Sequence, residues 1–140
     1  FNSVNHNDLG NLLYLQKEEA LAIAAYRQAL RLEPTQPQYQ ANLGLMYLRL
    51  YQKDTQAATA KKWLKQSKQH YLEAWGMNPL DPKLALHLAV VCNDLGQLRE
   101  GLQYAQTAVK LSPQSAEYQE EVGLSYERMK DWEKAAPAYE

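Results

Sequence analysis

The sequence is short of the residues that make strands, disulfides, metal clusters or membrane spans. Its single cysteine, Cys92, excludes an internal disulfide and a thiolate metal cluster. β-Branched residues are scarce, which argues against a sheet. Phe occurs once against ten Tyr. No apolar run approaches the roughly 20 residues that cross a bilayer. Neither sign of charge is in surplus: a formal net charge of −1 gives no global attraction to nucleic acid or to an anionic membrane. The six glycines are isolated, so no loop cradles a phosphate. His6, His70 and His87 are scattered and build no zinc motif. Glu117, Glu120 and Glu121 read as an acidic first turn of a helix, not as an acid/base pair. No catalytic, metal-binding or cofactor-binding residue is nominated, and no enzyme activity is expected within this stretch.

What is present favours helix. Hydrophobic residues make up 46% of the chain, and Ala, Leu, Gln, Lys and Glu are abundant. An all-α protein is expected. A chain without disulfides suits the cytoplasm, while the periplasm and other compartments stay open. The text opens on Phe1, not on a start methionine, and reads as part of a longer protein.

Three phrases repeat: Ala29 to Pro34, Ala74 to Pro79 and Ala108 to Pro113. In each, a small residue stands five before the proline, a large apolar one four before, and Leu or Met two before. Pro79 and Pro113 are 34 residues apart, and Pro34 and Pro79 are 45 apart, which is 34 plus 11. Leu9-Gly10, Leu43-Gly44, Leu88-Ala89 and Val122-Gly123 recur at the same interval upstream, followed three residues later by Leu13, Tyr47, Cys92 or Tyr126. Tyr26, Tyr71 and Ala105 stand eight residues before their prolines. Pro ends a helix, and Pro37 and Pro82 fit the first turn of the next one.

A period of 34 with small residues where two helices meet resembles the tetratricopeptide repeat (TPR) family, over nearly the whole chain. The resemblance implies a right-handed solenoid of stacked antiparallel helix pairs with a concave inner face. The repeats fall at about 3–36, 37–81, 82–115 and 116–140, the last cut inside its second helix. There Tyr126, Asp131-Trp132, Ala135 and Tyr139 keep the register, with Pro137 an awkward guest. No polar cap is visible at either end.

The 11 extra residues lie near 51–63. Since 11 residues make close to three whole turns, they lengthen a helix without rotating the faces beyond. The economical reading is one second helix about three turns too long, capped by Asp54-Thr55 and striped by Ala57, Ala60, Leu64, Ser67, Tyr71 and Ala74. A short separate helical turn is the alternative. This arm is basic: Arg49, Lys53, Lys61, Lys62, Lys65 and Lys68 stand against Asp54 alone. Lys61, Lys62, Trp63 and Lys65 form a candidate second contact for an acidic partner, against the plainer reading of a solvated amphipathic face. Nucleic acid is not the expected partner.

In the family, the first helix of each pair faces the groove. The resemblance implies a groove presenting Asn7 and Asn11, then Gln38, Ala41, Asn42, Leu45 and Arg49. Lys83, Leu86, His87, Val90 and Asp94 follow, then Glu117, Glu120, Leu124 and Arg128. Chaperone co-factors of this family grip a terminal carboxylate with Lys and Asn, Asn, then Lys and Arg. Asn11, Asn42 and Lys83 match three of these places, while Asn7 and His87 stand where cations belong. A carboxylate needs charged donors to offset its desolvation, so that clamp is incomplete. Ala41, Leu45, Leu86 and Val90 form a partly apolar floor expected to take a partner peptide, with Arg49 and Lys83 orienting it. The alternative is that these residues pack between first helices. The function expected is a protein-interaction scaffold. The alternatives are the substrate-recruiting region of a larger enzyme, such as a glycosyltransferase or kinase, and self-association through uncapped ends.

Overall fold

A computed structural model describes residues 2–135, and the side chains of residues 2–131. The expected places of Pro137 and Tyr139, and the side chains of Trp132 and Ala135, lie outside the described residues. Among the described residues all regular structure is helical: α1 (Ser3–Leu15), α2 (Glu19–Leu32), α3 (Pro37–Lys53), α4 (Ala57–Met77), α5 (Pro82–Asp94), α6 (Leu98–Leu111) and α7 (Ala116–Ala135). They form two compact units, α1 to α4 and α5 to α7. None of the described helices is long and apolar enough to cross a membrane.

Local chemistry explains the helix ends. The Asn2 side chain caps α1 by accepting from the Asn5 N–H at 2.9 Å, and Asp81 caps α5 by accepting from the Lys83 N–H at 2.9 Å. Pro37 and Pro82 occupy the first turns of α3 and α5, where a missing N–H costs nothing. The turn after α1 puts Lys17 at φ 61°, and the turn after α5 puts Gly96 at φ 80°. Both close their helices with the same pair of backbone bonds, and only one uses the residue that adopts this conformation freely.

Within a helix pair the packing is large against small. In the first unit the Tyr26 ring of α2 covers Gly10 of α1, and the Tyr71 ring of α4 covers Gly44 of α3. At the same register of the second unit stand Ala89 and Ala105, both fully buried. The small residue five before each repeated proline is also fully buried: Ala29, Ala74 and Ala108 show 0% exposure. The first unit's core gathers Ala22, Ile23, Tyr26, Leu43, Met46 and Tyr47. Such closely packed interiors leave little room for added volume.

The extra residues of the second pair are divided between both its helices. α3 has 17 residues where α1 and α5 have 13. α4 has 21 where α2 and α6 have 14. α4 is thus extended by two turns, not three, and the remaining turn belongs to α3. Asp54 ends α3 instead of capping α4 from its own N-cap position. Its Oδ1 accepts from the Gln56 N–H at 2.9 Å. Ala60, Leu64, Ser67, Tyr71 and Ala74 form the buried stripe of α4, while Ala57 is exposed.

Candidate functional site

In the first unit, α1 and α3 join their polar faces through side-chain amides. Asn42 donates to Asn7 Oδ1 at 2.8 Å and accepts from Gln38 Nε2 at 2.9 Å. Asn11 accepts from the Tyr26 hydroxyl at 2.8 Å. Burial, and next the neighbouring Tyr14, push the Tyr26 phenol up to about 12, so it stays a donor. Ala41 and Leu45 are half-buried, and Leu45 leans on the core cluster. Arg49 donates to Gln52 Oε1 at 2.8 Å and to the Tyr14 hydroxyl at 3.4 Å.

One further contact of this unit escaped the sequence reading. Glu19, 8% exposed, receives the Lys53 ammonium at 2.7 Å, and that bond is the main reason its carboxyl lies below the usual range. Lys53 belongs to the extra turn of α3.

In the second unit, Lys83 is exposed on the first turn of α5, while His87 and Val90 are half-buried. Leu86 is 9% exposed and belongs to the core, contrary to its expected place on an open floor. The reason is that α5 is apolar nearly all round: Leu84, Ala85, Leu88, Ala89, Val91 and Cys92 are buried with it. Asp94 accepts from Arg128 of α7 at 2.9 Å. Asn93, which the sequence reading passed over, donates to Ser125 Oγ at 2.9 Å and to Glu121 Oε1 at 3.1 Å. Burial raises the Glu121 carboxyl above the usual range, partly countered by the Asn93 bond. Glu117, Glu120 and Leu124 are exposed on α7.

These pairs had a readable signal. Glu19 and Lys53, like Asp94 and Arg128, are one period of 34 apart, and Asn7 and Asn42 are 35 apart. Equivalent places on neighbouring first helices meet, so complementary residues one period apart mark contacts.

On the arm, Lys61, Lys62 and Lys65 are exposed, but Trp63 is not a free surface ring. It stacks on Tyr47, with centroids 5.9 Å apart, and its Nε1 donates to Asp54 Oδ2 at 3.2 Å. Tyr47 is stacked on its other neighbour, His70, at 5.5 Å, and its hydroxyl accepts from Arg27. Trp63 therefore anchors the arm's base, and only the Lys62 ammonium, 5.8 Å from its centroid, faces it from the basic side. Among the described residues no group of three or more His, Cys, Asp or Glu side chains could hold a metal ion.

Helix pairs tied by period-spaced contacts define an all-α helical repeat. The TPR repeat profile matches residues 6–50, and the Tetratricopeptide repeat profile matches residues 94–140. The chain belongs to the tetratricopeptide-repeat family. Among solved structures it is similar to the first TPR of Spaghetti (RPAP3) bound to HSP90 peptide SRMEEVD. That likeness has 18% identity and a TM-score of 0.81 over 92% of this chain and 94% of that one. The first TPR domain of human RPAP3 matches at 17% identity and a TM-score of 0.81, covering 95% and 96%. The Sgt2 TPR domain from Aspergillus fumigatus matches at 18% identity and 0.78, covering 96% and 83%. No curated protein matches the sequence.

Proposed function

We propose that this chain is a protein-interaction module without chemistry of its own. In its first unit a partner segment lies across α1 and α3 at Asn7, Asn11 and Asn42. The observation that carries this reading is the amide chain Gln38–Asn42–Asn7. Each side-chain amide repeats the donor and acceptor of a peptide bond, so it can pair with the backbone of an extended segment whatever its sequence. Half-buried Leu45 and Ala41 offer apolar contact beside them. Similar folds support the class of ligand: the first TPR of Spaghetti was solved with an HSP90 peptide and the second TPR domain of human RPAP3 with an HSP70 peptide.

Asn7 and His87 stand where a carboxylate clamp has cations, so a terminal carboxylate is not the feature gripped. The test is affinity capture with mass spectrometry, comparing the wild type with Asn42→Ala and Asn7→Ala. The partner should be lost from both variants while their helical circular dichroism is unchanged, with an affinity loss of about tenfold, or roughly 1.4 kcal/mol. A partner retained equally by both folded variants refutes the placement. Peptide SRMEEVD and its C-terminal amide should bind alike, since no complete clamp distinguishes them.

A further inference from the structure

A second recessed surface in the first unit lies away from the amide chain. It is a cleft of about 380 Å³ between the end of α1, the turn that follows it, and the lengthened end of α3. Tyr14, Leu15, Lys17, Glu19, Arg49 and Lys53 line it. Its volume falls in the range of small-ligand sites, roughly 300–1,000 Å³.

Its charges do not balance. The one acid, Glu19, is engaged by Lys53 at 2.7 Å. Lys17 and Arg49 make no ion pair among the described residues. Arg49 instead donates to two neutral oxygens, those of Gln52 and Tyr14. An incoming anion can replace the Gln52 bond without breaking a charged one. Three cations against one carboxylate leave two positive charges, which suits a phosphate monoester of about −1.5 to −2 better than a single carboxylate. Arg49 supplies a planar fork for two phosphate oxygens, the lysines supply point charges, and the Tyr14 hydroxyl supplies a neutral donor.

Two further features belong to this cleft. Lys53 lies on the turn by which α3 exceeds the other first helices, so the extra length builds one wall. Lys17 holds φ 61° where the equivalent turn of the second unit has Gly96. A long cationic side chain thus stands at a place where glycine is conformationally easier.

We propose that this cleft binds the phosphoryl group of a phosphorylated serine or threonine on a partner protein. The proposal rests on the reading that the chain binds protein segments, but it uses neither Asn7 nor Asn42, so the two fail separately.

The experiment is a calorimetric titration with a blocked glycine peptide carrying one phosphoserine. The controls are its unphosphorylated parent, the same peptide with Glu for phosphoserine, and inorganic phosphate. The phosphopeptide should bind at least about tenfold more tightly than either peptide control. Arg49→Gln should weaken it by about tenfold, and Arg99→Gln, in the other unit, should leave it unchanged. Lys17→Gly should weaken binding several-fold while raising the melting temperature, a pair of opposite signs that a structural defect does not produce. Lys17→Gly also keeps the test decisive should Arg49→Gln misfold. Equal binding of the Glu and phosphoserine peptides would overturn the phosphoryl assignment. Inorganic phosphate binding as tightly as the peptide would overturn the protein-segment part. Unchanged affinity in Arg49→Gln and Lys17→Gly, or its loss only on replacing Lys61, Lys62 and Lys65, would overturn the location.

Discussion

The Tyr26 ring lies so close over Gly10 that a methyl group on the glycine would stand 2.5 Å from the nearest ring carbon. The ring cannot swing aside freely, because its hydroxyl is tied to Asn11 at 2.8 Å and its side chain is 1% exposed. Gly10→Ala should therefore destabilise the fold by about 1–3 kcal/mol, the cost of overpacking a closed core. Gly44→Ala, facing Tyr71 at 2.8 Å, should behave alike. Gly76→Ala in α4 meets nothing within 4 Å and should stabilise by about 0.5–1 kcal/mol through helix propensity. Urea denaturation of the three variants checks the sign reversal.

Trp63 and its lysine neighbours should separate in the same assay. Trp63→Ala removes the stack on Tyr47 and the bond to Asp54, and should cost about 2–3 kcal/mol, less than a fully buried tryptophan. Lys61→Ser and Lys65→Ser, on the exposed face, should stay within about 0.5 kcal/mol of wild type.

His70 should make stability depend on mildly acidic pH. Burial, and next the charge of Arg27, hold its folded-state pKa below the ordinary 6.5. The unfolded chain then binds the proton more readily, so stability falls as pH drops from 6.5 toward the folded value. His70→Phe keeps a ring against Tyr47 and removes the titration. Its melting temperature should vary less than that of wild type across this window.

Glu19 acts in a lower window and through a different partner. Its carboxyl, held below 4.5 chiefly by Lys53, adds stability above that pH and loses it as the pH falls through the folded value. Lys53→Met should cost about 1–2 kcal/mol at neutral pH by stranding a mostly buried carboxylate. Below pH 4.5 the gap between the two proteins should narrow, which guanidine denaturation at two pH values would show.

Much of this architecture could be read from spacing. The places of Ala29, Ala74 and Ala108, of Pro37 and Pro82, and of the stripe Ala60, Leu64, Ser67, Tyr71 and Ala74 follow from periodicity, because burial repeats with the helix turn and the repeat length. The candidate site was less legible. Leu86 was expected on an open face and is buried, since a helix apolar all round does not announce which side stays exposed. Trp63 sits among lysines in the sequence, yet its ring turns inward onto Tyr47. Lys17 and Glu19 drew no attention, because nothing near them in the chain shows that the end of α3 comes back to meet them.

By itself the sequence determined the class of fold, the repeat length and the number of added residues, because helix stops, small residues and apolar stripes are local signals that sum along the chain. Only the tertiary structure decided how those 11 residues divide, one turn to α3 and two to α4, since three turns preserve the faces wherever they are placed. It also decided that the added turn of α3 brings Lys53 to Glu19 and lines a cationic cleft with Arg49 and Lys17. Contacts one period apart depend on how neighbouring helices stack, and stacking is a property of the folded chain.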